Sequence, residues 1–363
     1  MIGPRAIIDL SALRHNLACA RRAAPGARVM AVIKSNGYGH GMLRVARVLE
    51  EADAFAVARV AEGVQLRRAG IDKRVVVLEG GFDPGDLEVA AALDLELTIH
   101  HTGQLDLLAA FNRPDALICW LKVDTGMHRL GVAPEHAVEF WRRLLGTPCV
   151  GAVAGLMTHL ANADDLSDDT TRAQLKRFLP LARELGTQSS ICNSAGVLGW
   201  PEAHSDWIRP GIMLYGASPL VNGDAAGEGL RPVMHFETTL IAVNHCRAGD
   251  PVGYGGTWRC PEAMPLGVAA VGYGDGYPRH LPSGTPVLLN GQRVPLVGRV
   301  SMDMITLDLR SQPQAGPGDL VRLWGERLPV DEIAARAGTI AYELTCGVTQ
   351  RVEFVEVEGG RDG

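Results

Sequence analysis

Lysine is nearly missing from this 363-residue chain. Only four occur, Lys34, Lys73, Lys122 and Lys176, and arginine supplies the other 31 basic residues. A coding bias toward Ala, Gly and Arg accounts for the imbalance. Where arginine has taken every position that needs only charge, a retained lysine is a candidate for chemistry. An amine loses its proton and attacks a carbonyl; a guanidinium does not. Cys-x-x-Cys is absent as well. The seven cysteines are scattered and odd in number, which argues against a disulfide frame or a zinc knuckle and fits a reducing compartment. No metal is expected. The opening residues, MIGPRAIIDLSALRHNL, lack the apolar core of a signal peptide. No apolar run approaches the roughly 20 residues that span a bilayer. A cytoplasmic chain with no membrane partner is the expectation. Repeats and low-complexity tracts are lacking too. The net charge of −6 argues against nucleic acid as the main partner, and 47% hydrophobic with 21% charged residues argues against disorder.

What is present has two textures. Short apolar runs at 29–33, 54–58, 75–78, 95–99, 117–123, 152–157, 188–192 and 208–214 do not alternate, as suits parallel strands buried on both faces. Helix-like stretches at 42–51, 59–69, 83–93, 101–111, 134–145 and 170–185 lie between most of them. Eight strands alternating with helices predict an α/β fold, a (β/α)8 TIM barrel, with a doubly wound sheet as the structural alternative. After Gly216 the pattern changes. Residues 217–231 read as a linker, and runs at 234–244, 266–271, 286–300, 304–309 and 319–323 predict a mostly-β C-terminal domain. Asn290-Gly291 marks a hairpin. The expected division is a barrel domain over 1–229 and a β-rich domain over 230–363.

Barrel enzymes build their sites at the C-terminal ends of the strands. Strand one ends in Lys34, within AVIKSNGYGHG. Strand five carries Lys122 and runs on to Arg129. Strand six ends at Thr158-His159, strand seven at Asn193-Ser194, and strand eight begins near Arg209. Two of four lysines thus point at one rim, joined by Arg, His, Asn and Ser. The Gly-rich turn 34–41 alone is weak evidence, and a plain tight turn explains it. A lysine ending a buried strand is desolvated, which frees its amine, unless it snorkels to the edge.

The segments AVIKSNGYGHG, LKVDTGMHRLG, GLMTHLANAD, NSAG, RPGIMLYG, VGYGGTW, VGYGDGYPR, VGRVSMD and YEL-C resemble, in order, the motif series of the alanine racemases. The likeness runs from IDLSALRHNL to YELTC and covers essentially the whole chain. It implies a barrel followed by a β domain, pyridoxal 5′-phosphate (PLP) as cofactor, L- and D-alanine as substrates, and a homodimer with shared active sites. The D-alanine would supply cell-wall peptidoglycan, or be consumed in catabolism.

The resemblance also implies roles. Lys34 looks like the cofactor-bearing lysine and the base on one face of Cα. Tyr254 looks like the base on the other, although on its own residues it reads as a core aromatic. Racemisation needs two flanking bases, because the proton leaves one face and arrives at the other. His159 and Arg209 match the pair that assists the tyrosine. Arg209 also matches the residue facing the cofactor ring nitrogen; an arginine there leaves that nitrogen neutral. Tyr38, Asn193 and Ser194, with the amides of Gly211 and Ile212, match cofactor-binding positions, most of them around the phosphate. Arg129 matches the arginine on the cofactor phenolic oxygen and substrate carboxylate. Lys122 matches a lysine often carbamylated in the family. Met302, Asp303 and Tyr273, with Tyr254, would complete the pocket from a second copy. Asp164, Arg279 and Arg299 match residues near the approach path, where plain solvated charge is an equal reading. One position departs: some members carry a tyrosine four residues past the YEL-C cysteine, and here it is Gln350. That leaves open a broader racemase that also takes serine. A barrel-type PLP decarboxylase is a further alternative, but would want a carboxylate where Arg209 stands. A non-catalytic PLP carrier would be a lone barrel.

Overall fold

The fold is described from a computed structural model, over residues 3–359. The strands in chain order are β1 (Arg5–Asp9), β2 (Arg28–Val32), β3 (Ala54–Val57), β4 (Val75–Val77), β5 (Leu95–Ile99), β6 (Leu117–Lys122), β7 (Val150–Met157), β8 (Ser189–Ser190) and β9 (Trp207–Ile208). They continue with β10 (Met234–Cys246), β11 (Pro251–Val252), β12 (Trp258–Arg259), β13 (Met264–Ala269), β14 (Pro286–Leu289), β15 (Gln292–Val297), β16 (Ile305–Asp308), β17 (Leu320–Trp324) and β18 (Glu353–Val357). Strands β2 to β9 form a closed parallel barrel, with β2 paired to β9. The reason is visible in the sequence: AFAV, VVV and LELTI are buried at every position, as only a strand covered on both faces can be. The predicted helices appear between the strands, for example Val60–Arg68, Pro84–Ala92 and Thr170–Leu185.

The eighth strand is shorter than the apolar run suggested. Pairing as a strand ends at Ile208, and Ile212–Tyr215 forms a 3-10 turn. Pro210 between them has no N–H to continue a ladder, though its carbonyl still accepts from the Val32 amide at 2.9 Å.

The later strands form a mostly antiparallel sheet, in the order β13-β16-β15-β14-β17-β10-β1-β18, and β11 and β12 pair separately as a two-stranded sheet. Asn290-Gly291 makes the anticipated hairpin between β14 and β15, both residues at positive φ. Residues 217–231 contain no helix or strand, as a linker should. Two features were not anticipated. Strand β1, from the chain's start, belongs to this sheet: it pairs antiparallel with β10 and parallel with β18. The helices Val330–Ala337 and Ala341–Gly347 also lie in this half. The second holds the YELTC segment against the barrel turn after β2. Contact there is so close that a Cβ on Gly39 would lie 2.0 Å from the Thr345 carbonyl oxygen. Among the described residues no helix is long and apolar enough to cross a membrane.

The floor of the barrel satisfies its own charges. Glu96, buried on β5, accepts from Trp120 Nε1 at 2.7 Å and from Arg74 at 2.6 and 3.0 Å. Arg28 and Arg74 both lie over the Trp207 ring. Such pairing belongs to stability rather than chemistry.

Candidate active site

The opposite end of the barrel is built differently. Lys34 follows β2 and begins a turn in which Ser35, Asn36, Gly37 and Tyr38 all have φ between 52° and 61°. Each non-glycine residue held left-handed costs roughly 1–2 kcal/mol. Strain of this kind persists only where the surroundings fix it. Here the fixing groups are visible. Glu62 accepts from the Ser35 amide at 2.8 Å and the Ala58 amide at 2.7 Å, and Asn36 Oδ1 accepts from the Met42 amide at 3.0 Å. The buried Tyr38 ring stacks on Tyr215 at 4.7 Å and meets Tyr342 at 5.7 Å. The tight turn read from the glycines is thus a constrained left-handed turn that aims Lys34 and Tyr38 into the barrel mouth.

That mouth holds a cavity of 660 Å³. Its lining brings together Lys34, Tyr38, Lys122, Arg129, His159, Asn193, Ser194, Arg209, Gly211 and Ile212. Arg209 is 4% exposed. It donates to Ser190 Oγ and the Thr158 carbonyl, each at 2.5 Å, and its Nη2 lies 3.4 Å from His159 Nδ1. Asn193 Oδ1 caps the following helix by accepting from the Gly196 amide at 2.9 Å. Ser194 Oγ accepts from the Gly211 amide at 2.8 Å, and a Cβ on Gly211 would lie 2.5 Å from the Tyr38 hydroxyl. A serine and a tyrosine hydroxyl therefore converge on one backbone turn.

The electrostatics are one-sided. Among the described residues, none of Lys34, Lys122, Arg129 and Arg209 forms an ion pair with a carboxylate. Burial, reinforced by Arg129, lowers the Lys34 amine below the usual lysine range. Burial and then Arg209, Arg129 and Lys34 bring Lys122 down to about 8. Burial lowers Arg209 to about 10. Burial, then Arg209 and the other cations, holds His159 neutral well below its ordinary value. Lys122 and Arg209 are buried without a paired acid, which is costly unless a ligand compensates them. The cavity suits an anionic guest, and burial weakens the hold of its lysines on their protons.

The remaining candidates lie elsewhere. Tyr254, between β11 and β12, is 71% exposed and flanked by Gly253 and Gly255 at positive φ. Tyr273 and Met302 are exposed as well. They share a platform: the Tyr273 amide donates to the Ser301 carbonyl at 3.0 Å, the Gly274 amide to the Met302 carbonyl at 2.9 Å, and Arg351 to Asp303 at 2.7 Å. None of these lines the cavity of its own chain. Asp164 lines a neighbouring cavity, while Arg279 and Arg299 are exposed. Gln350 is exposed and does not line the cavity. Its segment nevertheless supplies an aromatic wall through Tyr342, so the wall expected to be missing is present four residues before Cys346. Strand-end reasoning passed over Glu79, which follows β4 and also lines the cavity; the same rule applied to that strand finds it.

Comparison with known proteins adds three observations. The family "Alanine racemase, N-terminal domain" matches residues 8–219, and "Alanine racemase, C-terminal domain" matches residues 233–356. The chain is 56% identical over 349 residues to the alanine racemase of Nitrosococcus oceani, covering 96% of this chain and 98% of that one. It is 54% identical over 356 residues to that of Halorhodospira halophila, covering 98% of each. Its fold is similar to the crystal structure of biosynthetic alanine racemase from Pseudomonas aeruginosa, with a TM-score of 0.95 and 43% identity, covering 99% of this chain and 100% of that one.

Proposed function

The chain belongs to the alanine racemase family, and from that premise we propose how its residues divide the reaction. It is an isomerase that interconverts L-alanine and D-alanine. The observation that carries the division of labour is the barrel mouth itself: Lys122, Arg129 and Arg209, without carboxylate partners, beside Lys34, whose amine is depressed.

PLP fits this chemistry, because the unpaired cations, the Tyr38 and Ser194 hydroxyls and the Gly211 turn suit a phosphate and a phenolic oxygen. Lys34 would carry the cofactor. Tyr38, Ser194 and the amides of Gly211 and Ile212 would hold its phosphate, with Asn193 setting the helix start beside them. Arg209 would hold the ring nitrogen, and Arg129 the phenolic oxygen and the substrate carboxylate. When bound, PLP supplies the electron sink that weakens the substrate Cα–H bond.

The side chains supply the rest. Lys34 Nζ takes or returns the Cα proton on one face, and the basicity that burial lowers makes that proton easier to return. Tyr254 Oη serves the other face. It is exposed in its own chain, so it would come from a second copy, with Tyr273, Met302 and Asp303 beside it. His159, held neutral by burial and then by Arg209, faces the Arg209 donor with Nδ1 and would donate from Nε2 to the incoming tyrosine oxygen. The Lys122 amine, near 8, reacts with carbon dioxide to give a carbamate and one proton; the new negative charge would orient Arg129. A decarboxylase reading lacks support, because an arginine, Arg209, stands in the cavity where that chemistry would want a carboxylate. Cytoplasmic residence of a homodimer, sharing its sites, completes the proposal.

The test is incubation of the holoenzyme with L-alanine in deuterated water. D-alanine carrying one deuterium at Cα is expected. Unchanged, undeuterated L-alanine would defeat the reading.

A further inference from the structure

One buried amide outside the barrel mouth connects two of its walls. Gln174 lies on the helix Thr170–Leu185 and is 1% exposed. Its Oε1 accepts from the Ala161 amide at 2.9 Å. Its Nε2 donates to the His159 carbonyl at 2.9 Å and to Thr125 Oγ1 at 3.1 Å. Thr125 Oγ1 lies 2.8 Å from Thr158 Oγ1, and the Thr158 carbonyl accepts from Arg209. Arg177 donates to the Thr125 carbonyl at 2.8 Å, and a Cβ on Gly126 would meet the Gln174 side chain at 3.5 Å. The loop after β6 is further tightened by Asp124, whose Oδ1 accepts from the amides of Gly126, Met127 and His128. That loop ends in Arg129, whereas the loop after β7 begins with Thr158-His159.

We infer that Gln174 is a positioning residue that fixes the Arg129 loop against His159 and Arg209. The argument is one of donor count. The two oxygens that Gln174 Nε2 serves belong to different loops, and a primary amide is the neutral side chain that gives two donors and an acceptor from one terminus. Glutamate has nearly the same shape and still accepts from Ala161, but its carboxylate faces the His159 carbonyl with no proton. Methionine keeps the volume and makes none of the bonds. Gln174 touches no reacting atom, so its effect runs through where Arg129 stands. The consequence for substrate rests on the reading of Arg129 given above.

The experiment compares wild type, Gln174→Glu, Gln174→Met and Arg129→Ala. Amide hydrogen exchange is followed over residues 124–131 in the chain without cofactor. The PLP-loaded enzyme is then titrated with propionate, a carboxylate that carries no amine, and assayed with alanine. Both Gln174 variants should exchange faster over 124–131, with cofactor content retained. The propionate inhibition constant and the alanine KM should each rise about tenfold, the fold-change of one lost hydrogen bond. The kcat should fall by less than the KM rises, since Gln174 bonds neither Lys34 nor Tyr254 and reaches His159 only through its backbone carbonyl. Unchanged exchange overturns the inference. So does faster exchange with propionate binding altered in Arg129→Ala but not in the Gln174 variants. So does a kcat loss with KM unchanged, which marks general structural damage. Faster exchange with propionate binding unmoved in all variants supports the stitching and removes only the role given to Arg129.

Discussion

The barrel mouth and the C-terminal platform carry comparable chemistry in opposite states. At the mouth, one chain gathers its groups into a buried cavity, and burial has already shifted their proton affinities. On the platform, Tyr254, Tyr273 and Met302 stand in solvent, the last two beside a loop that Arg351 pins at Asp303 and the first on a turn whose glycines lie against Arg299. Exposed aromatic and sulfur side chains on a rigid loop are what an interface presents, and free solvent gives them nothing to do. The contrast teaches that the cation cluster is gathered within one chain, whereas the exposed platform is the part that the proposed second copy would have to complete.

The largest expected effect is at the mouth. Lys34→Ala should lower alanine racemisation by at least about 10⁴-fold and abolish the yellow colour of the loaded protein, because both the attachment point and a base are lost. Absorbance and a chiral assay read this, and retained colour with retained rate would remove Lys34 from the reaction. On the platform, Tyr254→Phe should cost about 10²–10⁴-fold in rate, most in the L-to-D direction, while colour and melting temperature hold. Equal loss of colour in both variants would blur the division between the two regions.

Lys122 sharpens the comparison through pH. Its amine titrates near 8 when folded and at the ordinary lysine value of 10.5 when unfolded. Below pH 8 both states are charged and the folded one bears the cost. Between the two values the unfolded chain binds more protons, so stability rises with pH and then levels. Lys122→Met should therefore be more stable than wild type below pH 8, by up to about 3 kcal/mol, with the gap closing toward pH 10.5. Cofactor-free protein in carbon-dioxide-free buffer, melted across that range, provides the check. A gap independent of pH would mean that Lys122 is not buried as a cation.

The smallest effect concerns Gln350. Because it is exposed and off the cavity wall, Gln350→Tyr should change alanine and serine KM by no more than about twofold, within ±0.5 kcal/mol. A large shift in the serine-to-alanine ratio would give Gln350 a place at the shared site that one chain does not reveal.

The barrel was legible because its strands are apolar on both faces and its helices are not, a contrast that runs through the sequence from Val29 to Ile208. Most rim residues were legible because they follow those strands; Arg209 was not, because the apolar run 208–214 puts it at a strand's start, whereas the strand ends at Ile208 and Arg209 follows it. Strand β1 was not, since its run IID is short and its partners, β10 and β18, lie more than 200 residues away. The left-handed turn at 35–38 was hidden because three of its four residues are not glycine, and only Glu62, Met42 and Tyr215 explain why they tolerate it. Gln174 escaped strand-end reasoning for a simpler cause: it sits inside a helix, where an amide reads as one more polar position.

The central claim is that the platform of one copy completes the mouth of another. Mixing Lys34→Ala and Tyr254→Phe proteins under conditions of demonstrated subunit exchange tests it most directly. A mixed dimer would hold one site with both lesions and one with neither, so the mixture should recover about a quarter of wild-type activity. Two inactive parents that exchange subunits and stay inactive would contradict the account.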